Sequence, residues 1–156
     1  MKKYLIPFFL SMVPLLELRG GVPVGVTMGL SNVEAIMICA IGNMLPVPFI
    51  YFFARKFLIW GAHKKYIGKL CSFFLVKGEK GGRKLTAAAG RGGLFVALLL
   101  FVGIPLPGTG AWTGTLAASF LNMGFKSAVI AVVLGVLLAG VIMATASSAV
   151  LGIFGL

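Results

Sequence analysis

Two long apolar stretches of this chain are broken by groups that a membrane helix does not carry without a reason. The stretch 4–30 is interrupted by LELRGGVP, with Glu17 and Arg19 inside it, and the stretch 93–121 by GIPLPGTG. Two further stretches, 33–54 and 126–154, have no such break and are long enough at 1.5 Å per residue to cross a hydrocarbon core of about 30 Å. Lipid offers no partner to the amides and carbonyls that a broken helix frees, so both interruptions have to be buried in protein or line a polar cavity.

Composition agrees that the solvent is lipid. The 156 residues are 60% hydrophobic and 11% charged, whereas soluble domains are about 45–50% apolar and about 25% charged. The expected fold is an all-α integral membrane protein forming a single membrane domain over 1–156. Its parts are repeat 1 (about 1–54), a basic connector (about 55–92) and repeat 2 (about 93–156).

The formal charge is +11, with no Asp and three acids, Glu17, Glu34 and Glu79. Ten of the fourteen basic residues fall between Arg55 and Arg91. That clustering marks a cytoplasmic connector facing anionic lipid rather than a nucleic-acid site. A multi-pass membrane protein with this connector on the cytoplasmic side, membrane lipids as partners and no nucleic acid, follows. Cys39 and Cys71 have no pairing spacing and read as small hydrophobes. The N-terminus lacks a small-x-small cleavage site and reads as mature protein.

Ser31 and Glu34 form a capping-box pattern at the start of the second stretch. Asn43 stands mid-span near Pro46 and Pro48, which should kink that helix, and is a possible site residue. In the connector, Tyr66, Ile67, Leu70, Phe73 and Phe74 recur at helical steps and predict a short amphipathic helix lying in the interface. His63 reads as solvated. The segment 77–93, KGEKGGRKLTAAAGRGG, reads as a flexible linker, and Arg91 at its end as an interface anchor or possible site residue.

The order of elements repeats: broken segment, span, basic interval, broken segment, span. Gly21-Val22-Pro23-Val24-Gly25 aligns with Gly103-Ile104-Pro105-Leu106-Pro107-Gly108, and ten residues separate both Asn32 from Gly42 and Phe125 from Gly135. Gly/Pro-interrupted segments at matching places in two halves point to a transporter site. Leu5 to Leu18 as a helix reaches only about 21 Å, too short to cross. Each broken segment is therefore read as a re-entrant hairpin, and the two halves as inverted repeats, with kinked spanning helices as the alternative reading of the breaks.

At the first break, expected at Gly20-Gly21, Glu17 and Arg19 stand two apart and point away from each other on an intact helix. A carboxyl at a helix C-terminus, balanced between burial and a nearby arginine, is suited to exchange protons, so Glu17 is the candidate coupling-ion site. A structural Glu–Arg pair fixing the tip is the competing reading. Arg19 is the candidate anion site, with Gly20, Gly21 and Pro23 opening the second half-helix beside it. At the second break Pro105, Pro107, Gly108, Thr109 and Trp112 line the pocket, with Thr109 as the helix cap. A single loop histidine and the absence of Asp give no triad, metal set or phosphate loop. No enzyme activity and no cofactor are expected.

ELRGGVPVG at 17–25 and IPLPGTGAWTG at 104–114, in this order and separation, resemble the bacterial small multidrug export proteins, which are similar to the broader DedA/VTT group. The resemblance implies paired re-entrant hairpins, a cytoplasmic-membrane location and transport driven by a proton or sodium gradient. For DedA proteins it also implies handling of polyprenyl-phosphate lipids. Glu17 matches the acidic position of the first hairpin. The aspartate and second-hairpin arginine typical of DedA members have no counterpart here. The resulting expectation is a small gradient-driven exporter of an amphiphilic or lipid-phosphate substrate, working as a homodimer. A DedA-like flippase and a non-transporting membrane scaffold are the alternatives.

Overall fold

The computed structural model describes residues 2–88 and 93–154, and these are helical almost throughout, with no strand among them. The first half comprises α1 (Lys2–Met12), α2 (Glu17–Thr27) and α3 (Asn32–Met44). Glycines set how closely these helices approach. A Cβ on Gly21 would stand 2.9 Å from the Pro7 carbonyl oxygen and 3.2 Å from Ser11 Cβ, and one on Gly25 would stand 3.5 Å from Pro7 Cγ. Later residues of α2 thus meet earlier residues of α1, and the two form an antiparallel pair. On the other side, Cys39 Sγ donates to the Pro7 carbonyl at 3.6 Å, and Gly42 faces the Phe8 carbonyl and Ser11. α3 therefore runs parallel to α1.

The break between α1 and α2 is not where the sequence pattern put it. Gly20, Gly21 and Pro23 lie inside α2, and the chain turns over residues 13–16 instead. Pro14 explains this, since it cannot donate to the Leu10 carbonyl and so ends α1. Val13 also becomes the acceptor for both the Leu16 and Glu17 amides, at 3.2 and 2.8 Å. The glycine pair marks close helix packing rather than a helix end.

α3 begins at Ser31, whose hydroxyl accepts from the Glu34 amide while the Glu34 carboxylate accepts from the Ser31 amide at 2.9 Å. It stops at Met44, ahead of Pro46. A short α4 (Val47–Phe49) and a π turn (Ile50–Ala54) follow, as two prolines remove successive donors. Asn32–Phe53 together are long and apolar enough to cross a membrane.

The connector folds into α5 (Arg55–Ala62) and α6 (Gly68–Ala88), which pack on each other, with α6 also against the second-half helix Ala111–Phe120. Tyr66, Leu70 and Phe73 are exposed, Ile67 is half-buried, and Cys71 is buried beside Gly61. The expected flexible linker is helical as far as Ala88. Lys, Arg, Leu and Ala favour helix, and Glu79 stands one turn before Arg83, which outweighs the glycines.

The second half comprises α7 (Gly93–Gly103), α8 (Ala111–Phe120) and α9 (Phe125–Phe154). The first-half contacts recur here. A Cβ on Gly114 of α8 would lie 3.3 Å from Leu98 Cδ1, and one on Gly135 of α9 would lie 2.8 Å from the Leu99 carbonyl. Gly114 and Gly135 stand 93 residues after Gly21 and Gly42. The closing turns match at the same offset. Leu30 donates to the Gly25 carbonyl as Met123 does to Ala118, both at 3.0 Å, and Gly29 (φ 81°) and Asn122 (φ 51°) take the left-handed position. The register therefore pairs Val13-Pro14 with Leu106-Pro107, not Gly21–Gly25 with Gly103–Gly108.

The two long apolar helices run antiparallel. Ser148 Oγ donates to Asn32 Oδ1 at 2.9 Å at one end. Gly140 packs on Ile36, and the Tyr51 and Phe125 rings meet at 5.2 Å at the other end, where the Tyr51 hydroxyl donates to the Met123 carbonyl. Leu18, Val22, Cys39, Leu98, Val102 and Val132 fill the core between them.

Candidate functional site

The site grows from the two turns. Residues 13–16 reverse the chain, and Glu17 then takes φ 47°, a left-handed conformation uncommon for a residue with a side chain and a marker of local constraint. This launches its carboxylate toward α8, across the molecule. α8 has no side-chain cap of its own, and its first amides have no intrahelical partner. Glu17 supplies the acceptors: the Ala111 amide donates to Oε2 and the Trp112 amide to Oε1, each at 3.1 Å. Glu17 as a residue is 5% exposed, and its carboxylate sits where the positive end of the α8 dipole favours an anion.

Gly110 makes room for it. Its φ is 138°, and a Cβ there would overlap the Glu17 carboxylate, so both backbone and space demand glycine.

Arg19, in the first turn of α2, serves the other side of the same break. Its guanidinium donates to the Leu106 carbonyl, to the Ile104 carbonyl at 3.5 Å and to Thr109 Oγ1 at 2.6 Å. Those carbonyls follow the end of α7, where they lack helical partners. The Thr109 hydroxyl turns back to the Ile104 and Leu106 carbonyls, at 3.1 and 2.8 Å. Thr109 is therefore not the cap of α8; Glu17 takes that role from 94 residues away. The acid and the base are not joined as a tidy pair but divided, the acid on the freed amides and the base on the freed carbonyls.

Beside this junction lies a cavity of about 330 Å³. Of the sequence-predicted residues it brings together Glu17, Arg19, Gly108, Thr109 and Trp112. Gly20, Gly21 and Pro23 do not line it, being packed within α2. Pro105 and Pro107 shape the second turn without lining the cavity. Asn43 does not line it either; it is 1% exposed, and its Oδ1 has no hydrogen-bond partner. Arg91 lies outside the described residues.

Other walls were not foreseen: Pro14 and Leu15 from the first turn, Ile50 from the π turn, Phe57 and Leu70 from the connector. Pro14 was the available signal for the turn. The connector's place in the wall has no local signature, because its apolar residues also fit an interfacial helix.

A model of the family described as putative small multi-drug export proteins matches residues 17–142, most of the chain. The chain belongs to this family. No curated protein and no solved structure matches it. The matched region of this small multidrug export family member begins at Glu17 and contains Arg19, the second turn's site residues, the connector and most of α9. Membership and the two long apolar helices give it a membrane location.

Proposed function

We propose that the chain is a small secondary exporter built from two inverted repeats, each a re-entrant hairpin and a span, with its substrate site between the two hairpin tips. One observation carries the reading: Glu17 and Arg19, at the start of α2 just after the first turn, hold the freed α8 amides and the carbonyls of the second turn, next to a cavity. The shared 93-residue offset and the antiparallel spans support an inverted repeat. Depth is supported by packing. Gly42, against the first hairpin, and Leu138, against Gly103 at the end of α7, both lie near the middle of their spans. α1 and α7, eleven residues each, are about 16 Å long and do not cross alone.

Glu17 is then the coupling group, with a proton as the coupling ion. As a carboxylate it accepts both α8 amides. Once protonated it presents a hydroxyl donor to one of them, and the junction loosens. Proton uptake and opening of the tips are thereby linked, and the hairpins move against the spans in the manner of alternating access. The connector lies on the cytoplasmic side by its charge.

The test is proton flux in proteoliposomes holding a pH gradient, screened against lipophilic compounds with a pH-sensitive dye. A compound that drives proton movement through the wild type and none through Glu17→Gln supports the proposal. Flux that survives Glu17→Gln unchanged removes Glu17 from coupling.

A further inference from the structure

We infer that the connector arm, α5 and α6 together, is a lid on the cavity that turns as one body about residues 52–55. This goes beyond the exporter reading and does not need it, because it concerns what covers the cavity and not what passes through.

The arm is a packed unit of its own. Among the described residues, the main core draws on both halves but on no residue of α5 or α6. A Cβ on Gly61 of α5 would stand 2.5 Å from Cys71 Sγ of α6, and one on Gly68 would stand 2.8 Å from the Ala62 carbonyl oxygen. The turn between the helices is closed by Lys64. Its amide donates to the Gly61 carbonyl at 2.9 Å, and its carbonyl accepts from the Gly68 amide at 2.8 Å. Two helices in contact this close move together, because a packed interior deforms little.

The hold on the rest of the molecule is of another kind. The arm packs on α8, on α7 and on the π turn. Its contact with α8 is a small apolar cluster in which Ile50, Leu58, Cys71 and Leu116 are buried, with Trp112 beside them. In lipid such a contact has no hydrophobic drive, since acyl chains cover a leucine as well as another leucine does. Seated and released positions of the arm therefore lie close in free energy.

The π turn supplies the pivot. Its upstream end is fixed: the Tyr51 carbonyl accepts from Ser119 Oγ at 2.8 Å, and the Tyr51 hydroxyl donates to the Met123 carbonyl. Residues 52–55 lie between this anchor and the arm. π-Helical backbone is rare and concentrates at functional places. The repeat does not demand it here, since 93 residues further on, 143–147 run through α9 as unbroken α-helix. The first half departs from the second at the point where the arm leaves the body.

The arm borders the cavity with Phe57, Leu70 and Cys71, while Leu15, Glu17 and Arg19 come from the first turn and α2. Leu15 is 90% exposed, Leu70 60% and Phe57 56%, so these three frame the mouth. Movement of the arm toward Leu15 narrows the mouth and shuts Glu17 and Arg19 away; movement in the other direction opens it.

The experiment uses the full chain in phosphatidylcholine nanodiscs, with Cys39→Ala and Cys71→Ala, and double electron–electron resonance between pairs of nitroxide labels. Tyr66→Cys with Leu134→Cys spans arm and body, Ile59→Cys with Val76→Cys lies within the arm, and Met37→Cys with Leu134→Cys lies within the body; all five positions are exposed. The expected result is two distance components for the first pair, one of them at the spacing of the seated arm, and a single component for each of the other two. Leu116→Ala thins the α8 side of the contact without touching the arm. It should lower the seated component relative to the other by about five-fold or more. If Leu116→Ala does not fold, the wild-type distributions decide alone. One narrow Tyr66–Leu134 distance in wild type and Leu116→Ala alike overturns the inference. So does a distribution within the arm as broad as the one between arm and body. Two arm positions in a protein that moves no protons would instead remove the exporter reading and leave the lid standing.

Discussion

The Glu17 carboxylate lies against Gly110, in the space that any side chain at 110 would occupy. The two residues are 93 positions apart, the offset that also relates Gly21 to Gly114 and Gly42 to Gly135. In register they are equivalents, each standing at the start of the second helix of its half and each with positive φ. One half contributes the carboxylate and the other the vacancy for it. The junction is thus asymmetric although the halves around it repeat.

Glu17→Ala leaves the amides of Ala111 and Trp112 buried without acceptors. The expected loss is about 2–4 kcal/mol, with no relief of the left-handed conformation because alanine keeps the Cβ. Glu17→Gln keeps one carbonyl acceptor and should lose less. Unfolding in mild detergent, followed by far-UV circular dichroism, checks the order wild type, Gln, Ala.

Gly110→Ala should destabilise by more than about 2 kcal/mol, from the overlap with Glu17 and the unsuitable φ. In a double-mutant cycle, Glu17→Ala should recover part of that loss, giving a coupling of about 1 kcal/mol or more. Strict additivity would mean that the two residues do not meet.

Gly42→Val and Gly135→Val each force α3 from α1, or α9 from α7, by pushing a side chain into a backbone carbonyl. Comparable losses of about 2–3 kcal/mol are expected from overpacking. Gly29→Ala, with nothing within 4 Å of its Cβ but φ 81°, should cost only about 1 kcal/mol. Thermal stability of the purified variants separates the two classes.

Much of this was legible in the chain. Length and hydropathy marked the spans over 33–54 and 126–154 because continuous apolarity is a local property. Ser31 and Glu34 marked their own cap, for the same reason. The first break was misplaced because GGVPVG looks like a helix breaker, and only packing against Pro7, Ser11 and Cys39 reveals those glycines as contact points. Pro14, the second proline of an apolar run, carried the real signal. That Glu17 and Arg19 meet the second turn rather than each other depends on contacts across 85 to 95 residues, which no local pattern encodes. The same holds for the connector: Leu70 borders the cavity only because α6 packs on α8.

The most direct test of the central claim is the depth of the two turns. In a cysteine-free background, nitroxide labels at Leu15 and at Leu106, both exposed, are compared for collision with oxygen and with a water-soluble nickel chelate in lipid vesicles. The account predicts that both labels report the middle of the hydrocarbon core, deeper than a label at exposed Lys65 in the connector. Nickel accessibility at Leu15 and Leu106 equal to that at Lys65 would place both turns at the membrane surface and contradict it.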